Sequence, residues 1–273
     1  MRNLIIRTAS GLLFLAIMIG SILWNTYAFA ALTCIIIIIG MFEFFNLTIP
    51  KRHLSQKTAS IFIGLSGVLF FNPVTNNKFL SAFFVIVAIA CLTMIWIIEL
   101  YKKSEKPIEN IALFILPIIY IAVPFTLMHY LNCFDPDGKF YILAFFILIW
   151  ANDVGAYCFG ILFGKHGKHK FFPRISPKKT WEGFAGGIIT AIIASVIIAK
   201  SMLNIEIYHL IIIAITTSVF GTFGDLAESM LKRSAGVKDS GKIMPGHGGI
   251  LDRFDSAIFA FPMVFVYYMI LIY

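Results

Sequence analysis

Charged residues are scarce in this sequence: Asp, Glu, Lys and Arg make up 13% of its 273 residues, whereas 59% of the residues are hydrophobic. The mean hydropathy is +0.89. A soluble domain needs a polar surface, and this composition supplies too few polar side chains to build one. The composition therefore excludes an ordinary soluble domain and predicts a polytopic membrane protein.

The motifs of several enzyme classes are also missing. The four cysteines, Cys34, Cys91, Cys133 and Cys158, lie in or beside apolar segments without metal-ligand spacing, which favours packing roles. The sequence has no His/Cys cluster with zinc spacing, no Gly-x-x-x-x-Gly-Lys-Ser/Thr loop and no Gly-x-Ser-x-Gly elbow. Zinc hydrolysis, a P-loop and acyl-serine chemistry therefore lack support.

Long apolar segments dominate what is present. A helix crosses a bilayer with about 17 to 25 apolar residues. The sequence predicts an all-α fold of about nine transmembrane helices, some of them short. The predicted spans are 8–23, 27–45, 58–71, 80–101, 111–130, 141–163, 183–203, 208–230 and 256–273.

The positive charges predict an orientation, because cytoplasmic segments of membrane proteins carry an excess of Lys and Arg. With nine spans and a cytoplasmic N-terminus, every Lys and Arg except Lys78, Lys139 and Lys200 falls on the cytoplasmic side. We therefore expect the N-terminus inside and the C-terminus outside. The net charge of +8 then requires no nucleic-acid partner.

The N-terminal segment imitates a cleavable signal peptide, with Arg2 and Arg7 before an apolar run and Ala28-Phe29-Ala30 after it. Another apolar span follows at once. We therefore expect the first helix to be retained.

No internal repeat or low-complexity linker divides the chain, so we expect a single integral membrane domain over residues 1–273. Residues 1–140 have mainly scaffold features. Glu43 and Glu99 each fall near the predicted cytoplasmic end of a helix, where a capping or pairing role is favoured over catalysis. The catalytic half is expected at residues 141–273, with cytoplasmic loops at 164–182 and 231–255.

One acid lies deep in the sixth apolar segment. Asp153, Tyr157, Gly160 and Gly164 share a helix face, which is expected to point into the bundle. An ionisable residue inside a membrane indicates a functional site, although a buried hydrogen-bonded pair is the alternative. Gly160 and Gly164 also permit close helix packing, either within one bundle or between the copies of a homodimer.

The eighth segment carries a second polar face, formed by Gly221, Asp225, Glu228 and Lys232. Asp225 falls within about two turns of the predicted cytoplasmic end. It is therefore expected below the membrane surface, yet near enough to meet a soluble nucleotide.

Charges of both signs and glycines concentrate between residues 229 and 255. The cations are Lys232, Arg233, Lys238, Lys242 and Arg253, the acids are Asp239, Asp252 and Asp255, and Gly246, Gly248 and Gly249 surround His247. Carboxylates bind hard metal ions, whereas cations and backbone N–H groups bind phosphate oxygens. The stretch therefore predicts a site for a polyphosphate and its metal ions.

A second basic segment, residues 176–183, reads Ser-Pro-Lys-Lys-Thr-Trp-Glu-Gly. Its two lysines and hydroxyls precede a predicted helix, whose N-terminus favours an anion. Alternatively, the lysines only reflect the orientation of the protein in the membrane, because basic loops are usual on the cytoplasmic side. The candidate substrate-binding residues here are Ser176, Lys178, Lys179, Thr180 and Glu182.

Together these segments resemble the phosphatidate cytidylyltransferases, also called CDP-diacylglycerol synthases. The resemblance covers Ser-Pro-Lys-Lys-Thr-x-Glu-Gly at 176–183, Gly-Asp-x-x-Glu-Ser at 224–229, and Ser-x-x-Lys-Arg, Lys-Asp, His-Gly-Gly and Asp-Arg-x-Asp within 229–255. Met244 is a mild departure, since another apolar residue is usual there. The resemblance implies transfer of CMP from CTP to phosphatidate, forming CDP-diacylglycerol and pyrophosphate in phospholipid biosynthesis. It also implies a bacterial inner (plasma) membrane, with the active site facing the cytoplasm.

The resemblance further implies residue roles. Asp225 and Asp252 would ligate Mg²⁺, as one ion or two. The expected catalytic residues are Asp225, Asp252, Lys232, Arg233, His247 and Arg253, further substrate contacts are Lys238, Asp239, Gly248 and Gly249, and other candidates are Asp153, Glu228 and Asp255. The other roles are inferred from the residues themselves. His247, between glycines, would donate a hydrogen bond to phosphate, transfer a proton or shape the turn, in that order of preference. Asp239 and Asp255 would orient lysines or metal-bound water, or would be N-terminal carboxylates favoured by the dipole of the last helix.

Two other classes of protein, secondary transporters and related lipid enzymes, are alternatives to this interpretation. A secondary transporter would use Asp153 and Asp225 to bind a coupling cation at broken helices, but the charged residues crowd one predicted side of the membrane. A polyprenol kinase would use the same metals and cations, so only the motif resemblance decides against it. An alcohol phosphotransferase is disfavoured because its Asp-Gly-x-x-Ala-Arg motif is absent.

Overall fold

The computed structural model describes residues 2–49, 53–71, 78–102, 104–164, 169–201, 206–244, 246 and 248–272. Within these ranges the protein is an all-α polytopic membrane protein with one small β-hairpin. The helices are α1 (Arg2–Trp24), α2 (Thr26–Thr48), α3 (Leu54–Phe70), α4 (Lys78–Tyr101), α5 (Pro107–Pro117), α6 (Val123–Phe134), α7 (Gly138–Leu162), α8 (Trp181–Ser201), α9 (Ile207–Ser234) and α10 (Leu251–Ile272). The strands are β1 (Lys170–Phe172) and β2 (Ser176–Thr180), paired antiparallel. Helices suit a bilayer because they satisfy their backbone polar groups internally.

Within the described residues, each predicted span falls on one helix, except 111–130, which falls on α5, α6 and the turn between them. This confirms the predicted fold class. Seven helical segments of the described chain are long and apolar enough to cross a membrane. The apolar part of α1 (Thr8–Trp24) and helix α3 are shorter. The number of spans and the side of each terminus therefore stay predictions.

Local sequence explains two helix boundaries. Asn25, between α1 and α2, is extended, and its side-chain oxygen accepts a hydrogen bond of 2.7 Å from the backbone N of Ala28. This caps the first turn of α2. Between α5 and α6 the chain continues as a π-helical turn at Ile118–Ala122, where the Val123 amide bonds to the Ile118 carbonyl. Pro124 lacks an N–H and its ring clashes with the turn before it, so the predicted span 111–130 is continuous but deformed.

The chain divides into two compact units. The first unit contains residues 1–136 and 239–253, and its core includes the fully buried Ile37, Met41 and Phe45. The second unit contains residues 137–238 and 254–273. Residues 239–253, which we predicted in the catalytic half, thus group with the first unit, and the single domain stays a prediction.

Within the second unit, glycines bring the backbones of α7 and α8 together. A Cβ added to Gly155 would lie 2.8 Å from the Gly186 carbonyl oxygen, and one added to Gly183 would lie 2.8 Å from the Ala156 carbonyl oxygen. Gly160 also faces Gly183. Of the two packing roles considered for Gly160, the structure therefore shows the one within a single bundle.

Gly155→Ala is expected to destabilise the protein by about 1 to 3 kcal/mol, because the new methyl group meets the α8 backbone, which cannot easily move. The measurement is thermal unfolding of the purified protein in detergent. Gly20→Ala is the matched control, since nothing lies within 4 Å of a Cβ added there. Equal melting temperatures for the two variants would contradict the close α7–α8 packing.

Candidate active site

The basic segment at 176–183 forms one strand of the hairpin and then begins α8. Thr180 caps this helix, because its Oγ1 accepts a hydrogen bond of 3.1 Å from the Gly183 backbone N. The helix thus starts at Trp181, two residues before the predicted span, and Ser176 to Thr180 form a strand within the predicted loop 164–182. The Phe171 ring stacks on Phe184 at 4.9 Å and joins the hairpin to α8. This aromatic packing has no signal in the local sequence.

Glu182 has a partner within the same hairpin region. Its Oε1 atom lies 2.8 Å from Nδ1 of His169, and the backbone N of Trp181 donates to the His169 carbonyl at 3.1 Å. Both contacts close the open end of the hairpin. The structure thus shows a structural role for Glu182, and its predicted substrate contact stays a prediction.

A cavity of about 460 Å³ lies within the second unit. Its polar lining includes Asn152, Asp153, Lys178, Lys179, Thr180, Thr222, Asp225 and Ser256, and its apolar lining includes Ala156, Tyr157, Ile161, Phe171 and Phe184. Binding pockets commonly combine apolar walls with a few polar groups that orient the ligand. Cations, carboxylates and apolar walls in one cavity suit an anionic amphiphile.

The two predicted site residues Lys179 and Asp225 meet in this cavity. The Lys179 Nζ atom lies 2.7 Å from Asp225 Oδ2 and also donates to the Thr222 carbonyl at 3.4 Å. The Oδ1 atom of Asp225 accepts a hydrogen bond of 3.2 Å from Ser229. The Asp225 side chain is 36% exposed, so it is held in place and still accessible from the cavity.

Further acids surround this pair. Asp255 lies close enough to Asp225, Glu228 and Asp153 to interact with them electrostatically, and Ser256 N donates to its Oδ1 at 2.7 Å. Glu228 is buried and receives a hydrogen bond of 2.9 Å from Lys232. The predicted acidic face of α9 is therefore confirmed, and Asp255 joins it from α10.

The face of α7 that carries Asp153 differs from the prediction. Asp153 is exposed and Tyr157 is 71% exposed, and both line the cavity. The predicted face is therefore divided: Gly160 and Gly164 pack against Thr180 and Gly183, whereas Asp153 and Tyr157 are exposed at the cavity instead of packed inside the bundle. A helix periodicity shows which residues share a face but not what the face packs against. Asp153 is thus a cavity residue within reach of the other acids.

The donor chemistry of these side chains fits a hard cation. Mg²⁺ takes oxygen ligands and usually keeps several waters, and Asp225 presents carboxylate oxygens to the cavity. Among the described residues, however, no three His, Cys, Asp or Glu side chains are already arranged to hold a metal. The donor chemistry suits Mg²⁺, but both Mg²⁺ binding and its ligand set stay predictions.

In the first unit, Asp252 closes the 239–253 segment into a loop. Its Oδ2 atom accepts hydrogen bonds from Ser240 N at 2.9 Å, Ser240 Oγ at 3.0 Å and Gly249 N at 2.8 Å. Gly248 has a φ of +86°, and a Cβ there would lie 2.5 Å from Asp252 Oδ2. Glycine is needed because the backbone is left-handed and the carboxylate is in contact with it. This structural role was not predicted, and metal ligation by Asp252 stays a prediction.

Glu43, on α2, holds the same loop. Glu43 is 4% exposed, and its carboxylate accepts hydrogen bonds from Ser240 Oγ at 3.0 Å and from the backbone N of Ile250 and of Leu251, each at 2.9 Å. Leu251 begins α10, so Glu43 satisfies amides at a helix N-terminus. The predicted capping role is confirmed, with Ser240 and two backbone amides as the partners. Sequence reasoning missed Ser240, whose only signal was its place between Asp239 and Gly241.

A cytidylyltransferase family model matches residues 5–271. The chain belongs to the cytidylyltransferase family. It is 34% identical over 260 residues to the phosphatidate cytidylyltransferase of Staphylococcus haemolyticus (strain JCSC1435), an alignment that covers 95% of this chain and 96% of the relative. It is 42% identical over 172 residues to the phosphatidate cytidylyltransferase of Bacillus subtilis (strain 168), covering 63% and 62% of the two chains. These findings confirm the resemblance to this family.

Most of the remaining predicted site residues of this cytidylyltransferase-family protein lie on the surface. Arg233 donates from Nη1 to the Val237 carbonyl at 3.0 Å and so holds the segment that follows α9. Lys238, Asp239 and Arg253 are exposed, whereas Gly249 is buried beside Glu43. His247 lies outside the described residues.

Proposed function

We propose that this protein transfers CMP from CTP to phosphatidate, forming CDP-diacylglycerol and pyrophosphate. The observation that carries the proposal is the family match over almost the whole chain, with relatives named phosphatidate cytidylyltransferase. The cavity of the second unit supports it independently, because it combines cations and carboxylates with apolar walls. Both substrates are anionic, and one of them is a lipid.

The lysines of the hairpin suit the phosphate of the lipid. Lys178 is exposed and Lys179 is 25% exposed, and both line the cavity. Ammonium groups bind phosphate oxygens through charge-assisted hydrogen bonds. Phe171 and Phe184 provide an adjoining apolar surface for the hydrocarbon part of the substrate.

In the proposed reaction, a phosphate oxygen of phosphatidate attacks the α-phosphorus of CTP. The new P–O bond forms as the bond from the α-phosphorus to the bridging oxygen of the β-phosphate breaks, and pyrophosphate leaves with that electron pair. A phosphomonoester has a second pKa near 6 and is largely a dianion at pH 7. The nucleophile therefore needs no strong base, which favours a hydrogen-bonding role for His247 over proton transfer.

Asp225 would hold Mg²⁺, and the family resemblance adds Asp252. When bound, Mg²⁺ neutralises negative charge on the triphosphate. Asp225 lies in the second unit and Asp252 in the first, so a shared metal rests on the resemblance. Lys179 orients the Asp225 carboxylate, and Lys232 balances the charge of Glu228.

The test is an incubation of purified protein with phosphatidate, Mg²⁺ and each of CTP, ATP, GTP and UTP. Pyrophosphate and a CMP-bearing lipid are expected with CTP alone. ADP together with a phosphorylated lipid would instead indicate a lipid kinase. No turnover with any nucleotide by folded protein would contradict an enzyme of this kind and favour the transporter.

We also propose that the protein lies in the bacterial plasma membrane, with the active site facing the cytoplasm and the C-terminus outside. The charge distribution supports this orientation. Alkaline phosphatase, which is active only outside the cytoplasm, is expected to be active when fused after residue 273 and inactive when fused after Ser240. The reverse result would show that the orientation is inverted.

A further inference from the structure

We propose that Glu43 is a positioning residue for the CMP transfer, acting through Ser240 on Asp252. This inference rests on the proposed function. Glu43 lies on α2, far along the chain from the family motifs, and the residue is 4% exposed. A buried carboxylate is costly unless hydrogen bonds compensate it, and this one is surrounded by donors from a single loop.

The donors around Glu43 match an ionised carboxylate. Oε1 accepts from Ile250 N at 2.9 Å, and Oε2 accepts from Leu251 N at 2.9 Å and from Ser240 Oγ at 3.0 Å. An ionised carboxylate only accepts hydrogen bonds, whereas a glutamine amide would direct N–H groups at one of these donors. The arrangement therefore selects Glu over its neutral isostere.

Ser240 connects Glu43 to Asp252. Its Oγ atom lies 3.0 Å from Glu43 Oε2 and 3.0 Å from Asp252 Oδ2, and its backbone N donates to the same Asp252 oxygen at 2.9 Å. A hydroxyl group has one hydrogen, so the two carboxylates share a single donor. A displacement of Ser240 therefore changes the hydrogen bonding of Asp252 directly.

Two glycines show that the loop is shaped around Glu43. A Cβ added to Gly241 or to Gly249 would overlap the Glu43 carboxylate. The backbone thus approaches the carboxylate as closely as glycine permits. This contact fixes the loop that carries Asp239, Gly248 and Asp252.

Glu99 provides a matched control in the same unit. It is 3% exposed, and its carboxylate accepts hydrogen bonds from Gln56 at 3.0 Å and Asn110 at 2.6 Å. It resembles Glu43 in burial and in position near a helix end. The residues that bond to Glu99 lie outside the 239–253 segment.

The experiment compares Glu43→Gln, Glu43→Asp and Glu99→Gln with the wild type in steady-state kinetics and thermal unfolding. Residues that orient a metal ligand through hydrogen bonds, as Glu43 and Ser240 would orient Asp252, typically contribute about 10- to 100-fold in metal affinity or activity. We expect Glu43→Gln to lower kcat/KM for CTP by that factor, while the KM for phosphatidate changes less than about twofold. Glu43→Asp keeps the charge and is expected to restore part of the loss. Glu99→Gln is expected to lower the melting temperature but to keep kcat/KM within about threefold.

A double-mutant cycle with Ser240→Ala tests whether Glu43 acts through Ser240, the residue that bonds to Asp252, because coupled residues show non-additive effects. Glu43→Gln is expected to add little to the loss already caused by Ser240→Ala. If Glu43→Gln does not fold, Glu43→Asp and Ser240→Ala provide the same comparison.

Three results would overturn the assignment of Glu43: wild-type kcat/KM in the folded variants, a loss in Glu99→Gln as large as in Glu43→Gln, or additive effects in the cycle. A wild-type protein that forms no CDP-diacylglycerol would instead overturn the proposed function itself.

Discussion

Asp225→Asn is expected to lower turnover by at least about 10³-fold and to leave the protein folded in detergent. Charge stabilisation by a bound metal supplies several kcal/mol in such reactions, and each 1.4 kcal/mol or so corresponds to a factor of ten. Replacing the Asp225 carboxylate with an amide removes the negative charge that holds both Lys179 and the expected Mg²⁺. Because the Asp225 side chain is 36% exposed beside the cavity, loss of its charge is expected to leave the fold intact. The measurement is the rate of CDP-diacylglycerol formation at saturating CTP and phosphatidate.

Asp137→Asn is the matched control, because it makes the same chemical change at an exposed residue at the start of α7 in the same unit. Its rate is expected within about twofold of the wild type. A wild-type rate in Asp225→Asn would remove Asp225 from the reaction. An equal loss in both variants would indicate a general effect of charge.

Lys179→Ala is expected to lower kcat/KM for phosphatidate by about 10²-fold or more, the usual loss when one group that stabilises developing charge is removed. The Lys179 ammonium is 2.7 Å from Asp225 Oδ2 and lines the cavity, so its removal affects both the carboxylate and an anionic substrate. Lys179→Arg keeps the charge with a bulkier group and is expected to retain part of the activity. Initial rates at varied phosphatidate concentration give the comparison.

Lys170→Ala controls for loss of a positive charge in the same hairpin, since Lys170 lies on β1 outside the cavity lining. Its activity is expected to remain close to that of the wild type. If Lys170→Ala were as impaired as Lys179→Ala, the hairpin would act through its overall charge. If neither variant were impaired, the cavity would not be the phosphatidate site.

Much of the candidate site could be predicted from the sequence, because its residues repeat with the period of a helix. Asp225, Glu228 and Lys232 share a face in any α-helix, and the structure confirms this face. The contact between Lys179 and Asp225 could not be derived in the same way. It depends on the hairpin, which aromatic packing between Phe171 and Phe184 attaches to α8.

The role of Glu43 shows a second limit of prediction from the sequence. Glu43 and Ser240 are 197 residues apart, yet their side chains share a hydrogen bond. Local sequence indicated a capping acid near the end of α2, because a carboxylate in an apolar helix requires donors. Which donors it finds depends on the path of a distant loop, for which helix periodicity carries no information.

The sequence by itself determined that the protein is helical and integral to a membrane, since a bilayer accepts apolar helices whose backbone groups are satisfied internally. It also determined the family, through motifs that concentrate carboxylates, cations and glycines. Only the tertiary structure decided that Asp153 faces a cavity, that Asp252 closes a loop and that Glu43 holds this loop. These features depend on contacts between residues far apart in the chain, and such contacts form only when the helices pack.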